Sequence, residues 1–183
     1  MKIRALTISV LLIVFAAIAG KAQQFTEYEV KAAYVFNFTK FIKWPDKAFD
    51  NRTSPYVLAI YGEDPFGTIV KKIIANRKSH GRQWIVKYYN QPEQINQCHI
   101  LFITDIRPSE LERVLNHVKK KPILTVGDNI ENFCQQGGII NFTEKNAPKR
   151  FEINNAAANN AHLSISAKLL MLSKIISTDE IKF

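Results

Sequence analysis

The motifs that hold nucleotides or a catalytic serine are missing from this chain: no GxxxxGK[ST], GxGxxG or GxSxG occurs, so the common phosphate cradles and the nucleophile elbow are absent. Histidine is scarce. His80, His99, His117 and His162 never fall in HExxH or HxH spacing, and the adjacent Cys98 and His99 would point to opposite sides of an extended strand, a poor joint metal site. Neither a metal nor a cofactor is expected. A Cys–His nucleophile assembled in space is left open by the spacing, but nothing favours it. Cysteine is sparse too: Cys98 and Cys134 are either one bridge in an oxidising compartment or two buried thiols. Acidic residues are also in deficit, 16 against 25 lysines and arginines, for a net charge of +9.

Long apolar runs are limited to the start. Lys2 and Arg4 precede Leu6–Ala19, and Gly20 and Ala22 are small. This is the pattern of a signal peptide, residues 1–22, with cleavage after Ala22. The run falls short of the roughly 20 residues that span a bilayer; a retained N-terminal anchor is the rival reading, and no cysteine near the cleavage point suggests a lipoprotein. Residues 23–183 are expected to be one exported, soluble domain with room for a sizeable core. Removing Lys2, Arg4 and Lys21 lowers the net charge from +9 to +6. Export and the scatter of the basic residues argue against nucleic acid. An acidic protein partner or a membrane surface fits better, beside the plainer reading of a solvated basic surface.

The most aromatic stretch is Glu27–Pro45, EYEVKAAYVFNFTKFIKWP. At helical spacing Val30, Tyr34, Val35, Phe38, Phe41 and Ile42 share one apolar face, with Glu29, Ala33, Phe36 and Lys40 opposite. Thr26 and Glu29 form a capping box at its start, and Pro45 ends it. Tyr56–Tyr61 is a continuous apolar run, the mark of a strand buried on both faces. A helix with Asp64 as N-cap and Pro65 at its first position follows, carrying Phe66, Ile69, Val70, Ile73 and Ile74. Further strands are expected at Gln83–Tyr88, His99–Ile103 and Pro122–Val126, with a helix from Pro108 to Val118 between the last two. Ile139–Phe142 and Arg150–Ile153 read as a hairpin, and Ser166 caps a final helix. The alternation predicts a single α/β domain: a largely parallel sheet layered with helices, closed by a C-terminal hairpin and helix.

Candidate sites are few. Glu63 and Asp64, just after a strand, form either a pocket or docking edge at the carboxyl side of the sheet, or simply a turn and a helix cap. Gly137-Gly138 more often makes a turn than an anion site. Glu152 alternates with Phe151 and Ile153, so it faces away from them; it would pair with Arg82 or Arg150, or join a binding face, and no second carboxylate at a useful spacing makes it catalytic. Phe36, an aromatic between charges, is either a partner contact or tucked beneath the last helix.

Taken in order, EYEVKAAYVFNFTKFIKWP, YGEDPFG, CHILFI, ILTVGD, GGIINF, RFEIN and SAKLLMLSKII resemble the YfiR family of periplasmic proteins from Gram-negative bacteria, across nearly all of Glu27–Ile176. The resemblance implies an α/β sandwich and a non-catalytic, dimerising regulator that binds the periplasmic part of an inner-membrane diguanylate cyclase. Such binding represses cyclic di-GMP synthesis and hence biofilm formation. It further implies sequestration by an outer-membrane lipoprotein, sensitivity to redox state, and, for some members, coupling to sensor histidine kinases. One departure stands out: many members carry a cysteine three residues before the glycine of YGEDPFG, where this chain has Ala59. A bridge from Cys98 to that position is therefore lost, leaving Cys98–Cys134 as a substitute.

Three functional classes follow. The first is the binding repressor, with Phe36, Glu63, Asp64, Phe66 and Glu152 as candidate partner or ligand contacts. The second is a small-molecule-binding sensor subunit feeding a histidine kinase, with its pocket near Glu63–Phe66. The third, remote, is an exported enzyme of unknown chemistry.

Overall fold

The computed structural model describes residues 25–75, 77–144 and 147–177; the expected signal peptide, residues 1–22, lies outside them. Seven strands form the main sheet in the order β3-β2-β4-β5-β6-β7-β9. They are β2 (Tyr56–Tyr61), β3 (Trp84–Tyr89), β4 (Ile100–Ile103), β5 (Leu124–Asp128), β6 (Ile140–Phe142), β7 (Phe151–Ile153) and β9 (Lys174–Ile175). The first five are mutually parallel, β7 runs antiparallel to β6, and β9 returns parallel to β7. The strand order reverses between β3-β2 and β4-β5-β6, which is the layout of a doubly wound sheet. A short pair, β1 (Ile42–Lys43) with β8 (Ser164–Ile165), ties the first helix to the C-terminal region.

The apolar runs explain this arrangement. Leu58, Ile60, Ile100, Phe102, Leu124 and Val126 point into one core, and Val57, Ala59, Tyr61, Leu101 and Ile103 into another on the opposite face. A strand clothed on both sides needs apolar residues at consecutive positions, and every residue of β2 and β4 is buried. Helices α1 (Glu27–Phe38), α2 (Ile69–Ile74), α4 (Asn155–Asn160) and α5 (Ala167–Met171) contribute to the first core; α3 (Pro108–Val118) covers the second with Leu111, Val114, Leu115 and Val118. The 108–118 helix, the parallel sheet and the 140–153 hairpin agree with the sequence expectation.

Several boundaries differ, each for a local reason. The first helix stops at Phe38 rather than running toward Pro45. Thr39 Oγ1 folds back on Phe36 O at 2.8 Å and donates to Ser79 Oγ at 2.9 Å as its alternative, while His80 Nε2 donates to Thr39 O at 2.8 Å. These contacts satisfy the helix end and release the chain into β1. Its N-terminus is the expected capping box, with Thr26 and Glu29 exchanging bonds. Asp64 does not cap a helix: its Oδ1 accepts from Phe66 N at 2.9 Å in a tight turn, and α2 begins only at Ile69. The Ala/Asn-rich stretch after β7 is helical, since Asn154 caps it by accepting from Ala157 N. The last helix is capped by Ser166 as expected but lasts only to Met171.

The face of α1 is the largest correction. Its buried residues are Lys31, Ala32, Val35, Phe36 and Phe38, with Thr39 after them, whereas Val30 is 40% exposed and Tyr34 only half-buried. At 100° per residue the core side is turned by about a quarter turn from the one that the apolar pattern picks. The helix carries aromatic residues all round, and the buried side includes a lysine, so hydrophobicity alone points the wrong way.

Candidate functional site

The carboxyl ends of β2, β4 and β5 meet below the start of α1. Gly62 leaves β2 at φ +96°, and a Cβ there would lie 2.1 Å from Thr104 O. Only glycine lets the two exits cross so closely. Of the sequence candidates nearby, Glu63 is exposed, Asp64 is engaged in its turn, and Phe66 is core. Phe66 is 2% exposed, edge-on to Phe102 with centroids 4.6 Å apart and to Tyr28 at 5.8 Å. Phe66 thus belongs to the core, and Glu63 and Asp64 stand at the edge.

Beside them lies a charged cluster that sequence reasoning missed. Lys31, 7% exposed, places Nζ 2.5 Å from both Glu27 Oε1 and Asp128 Oδ1. Its ammonium also lies 5.0 Å from the centre of the Tyr28 ring and 5.9 Å from that of Phe142. Burial alone would lower the lysine pKa, but the bonds to Asp128 and Glu27 outweigh it and raise the value above the usual range. Tyr28 is pushed up as well, by burial and then by the Asp128 charge. A cation held by two carboxylates and two rings is a clamp between α1 and the end of β5. The i,i+4 spacing of Glu27 and Lys31 was a legible signal for half of it; Asp128, 97 residues away, was not.

The outer side of α1 leaves apolar surface open to solvent. Phe25 is 64% exposed, and Val30 stands between two hollows. One, of about 450 Å³, lies against α2 and is lined by Val30, Tyr34, Ile69 and Ile73 together with the charged Glu29, Lys72 and Arg77. The other, of about 230 Å³, lies toward the β6–β7 side, between Val30, Tyr34, Phe142 and Arg150. Phe36 is on the far side of the helix. It is 7% exposed, its ring 5.6 Å from Trp84 and covered by Lys40 and Arg77 at 5.6 and 5.5 Å. It is buried, although its cover is Trp84 of β3 and not the last helix. Glu152 pairs with Lys174 at 2.9 Å, rather than with Arg82, which stacks on Phe49 at 3.8 Å and donates to Asn51 O and Ser54 O. A second apolar exposure, Met171, Leu172 and Ile175, surrounds the short edge strand β9.

The thiols of Cys98 and Cys134 are free and buried, with no bridge between them, and burial pushes each up to about 12. Such thiols are protonated and poor nucleophiles. His99 next to Cys98 is held elsewhere: Nδ1 accepts from Val57 N at 3.0 Å, so Nε2 carries the proton and donates to Ala48 O at 3.0 Å. Its ring stacks on Phe49 at 4.3 Å, and burial, more than the bond to Ala48, sets its pKa below the usual histidine value. Among the described residues no three His, Cys, Asp or Glu side chains come together as a metal site. Nor is any described helix long and apolar enough to cross a membrane.

A comparison with curated proteins finds no match. The sequence profile described as YfiR/HmsC-like matches residues 28–174, which begins within α1 and ends at β9. With most of its length and strands β2 to β7 of its main sheet inside that match, the chain belongs to the YfiR/HmsC-like family.

Proposed function

We propose that the protein is an exported, non-catalytic repressor that docks on the periplasmic part of an inner-membrane diguanylate cyclase and limits cyclic di-GMP synthesis. Family membership supports a periplasmic regulator of diguanylate cyclases in general; the partner, the docking face and the consequence for biofilm formation are our reading. The observation that carries the docking face is the exposed side of α1, where Val30 stands 40% exposed between two apolar hollows. Apolar side chains rimmed by charges are the usual centre of a protein contact, and Glu29, Lys72 and Arg77 supply charges of both signs, two of them basic, around the larger hollow. Homodimerisation and capture by an outer-membrane lipoprotein belong to the same proposal, with the Met171–Ile175 edge as a second contact face.

The test is crosslinking and co-purification from membranes. The wild-type protein should recover a cyclase, and Val30→Asp should lose it while melting at the same temperature. Recovery of no signalling enzyme, with cyclic di-GMP unchanged when the gene is deleted, would sink the proposal. Recovery of a sensor kinase in place of a cyclase would favour the second reading, a sensor subunit feeding that kinase.

A further inference from the structure

A third hollow lies at the opposite end of the sheet, by the amino ends of β5 and β6, between the C-terminal end of α3, the turn that leads into β6, and α4. Its volume is about 290 Å³. Pockets for drug-sized ligands run about 300–1,000 Å³, so this one suits a single small ring. Its lining includes apolar Ile139, the carboxamide residues Asn116, Gln135 and Asn160, and Lys119 and Lys120. No carboxylate lines it.

Three features converge on one ligand chemistry. A carboxamide offers donors and an acceptor together, which matches hydroxyl groups that both give and take hydrogen bonds. Two lysines unopposed within the lining favour an anion. Gln135 Oε1 is shut off from solvent and accepts no hydrogen bond from the protein. That atom is turned away from the solvent of the hollow, and a side-chain rotation would bring it to a ligand hydroxyl. We infer that this hollow binds one ring of a sugar acid, a hexuronate-class ligand, with its carboxylate on Lys119 and Lys120 and its hydroxyls on Gln135, Asn116 and Asn160. The ring is either a free sugar acid or the end of a uronate-containing polysaccharide. The site is separate from the α1 face, so its fate and that of the docking proposal are independent.

Calorimetry and amide chemical-shift mapping of the purified protein test this with glucuronate, glucose, acetate and a short oligouronate. Glucuronate should shift the amides of Gln135, Gly137 and Asn160 and bind about tenfold tighter than glucose, the difference one good ion pair makes. Lys119→Gln with Lys120→Gln should erase that advantage, and Gln135→Leu should weaken both sugars. The two lysines are exposed, so their replacement leaves the fold intact and decides the matter even where Gln135→Leu does not fold. Tighter binding of the oligouronate assigns a polymer end, and equal binding assigns the free acid; either supports the site. Shifts that are absent, lie elsewhere, or are matched by acetate would overturn it.

Discussion

Replacing Lys31 by Met tests whether the clamp between α1 and β5 holds the fold together. The substitution keeps an unbranched side chain against Tyr28 and Phe142 but removes the ammonium that lies 2.5 Å from Asp128 and Glu27. Glu27 is half in solvent and can rehydrate; the Asp128 side chain is only 5% exposed and cannot. Breaking a buried pair from one side costs about 3–5 kcal/mol, and the access of Glu27 to water puts this case at the low end, about 3 kcal/mol. Urea unfolding should show this as a lower midpoint with an unchanged slope. Lys31→Met with Asp128→Leu should recover most of the loss, because no charge is then left unpaired in the interior. The pH dependence has a definite sign. Lys31 titrates above the usual 10.5 in the folded chain, so its contribution is complete below that value and fades as pH rises through the folded pKa. The gap between wild type and Lys31→Met should close only in strong alkali. A loss below about 0.5 kcal/mol, the scale of an exposed ion pair, would refute the reasoning.

Other outcomes are expected elsewhere. Phe36→Ala should cost about 3–5 kcal/mol by emptying the space against Trp84, with partner capture unchanged in whatever fraction stays folded; loss of capture at unaltered stability, measured by melting and co-purification, would return Phe36 to the surface. His99 is held neutral in the fold, with its pKa depressed, so the unfolded chain binds more protons and stability should fall as pH drops below about 6.5. Melting curves of His99→Gln should lack that part of the slope. Cys98 and Cys134 should resist alkylation at pH 8 in the native protein and react on adding urea, since burial keeps both thiols protonated; rapid native labelling would contradict their burial.

Much of the architecture was legible because it rests on local rules. Consecutive apolar residues in Tyr56–Tyr61 demand a strand covered on both faces, and the Thr26–Glu29 and Ser166 caps mark helix starts wherever the helices go. The family resemblance was legible in the same way, in the order of its segments. Which side of α1 faces inward was not. Phe36 and Val30 are both apolar, and their places depend on where Trp84 of β3 and the hollow beside α2 happen to stand. Lys31 reads as a surface residue until Asp128 arrives from the end of β5, and Glu152 finds Lys174 only because β9 pairs with β7. Sequence by itself determined the six strands from β2 to β7, most helix starts and the absence of familiar catalytic motifs, since those follow from neighbours in the chain. Tertiary structure alone decided which aromatic is core, which charge is buried and which surface is left open, because each of these depends on groups that only folding brings within a few ångströms.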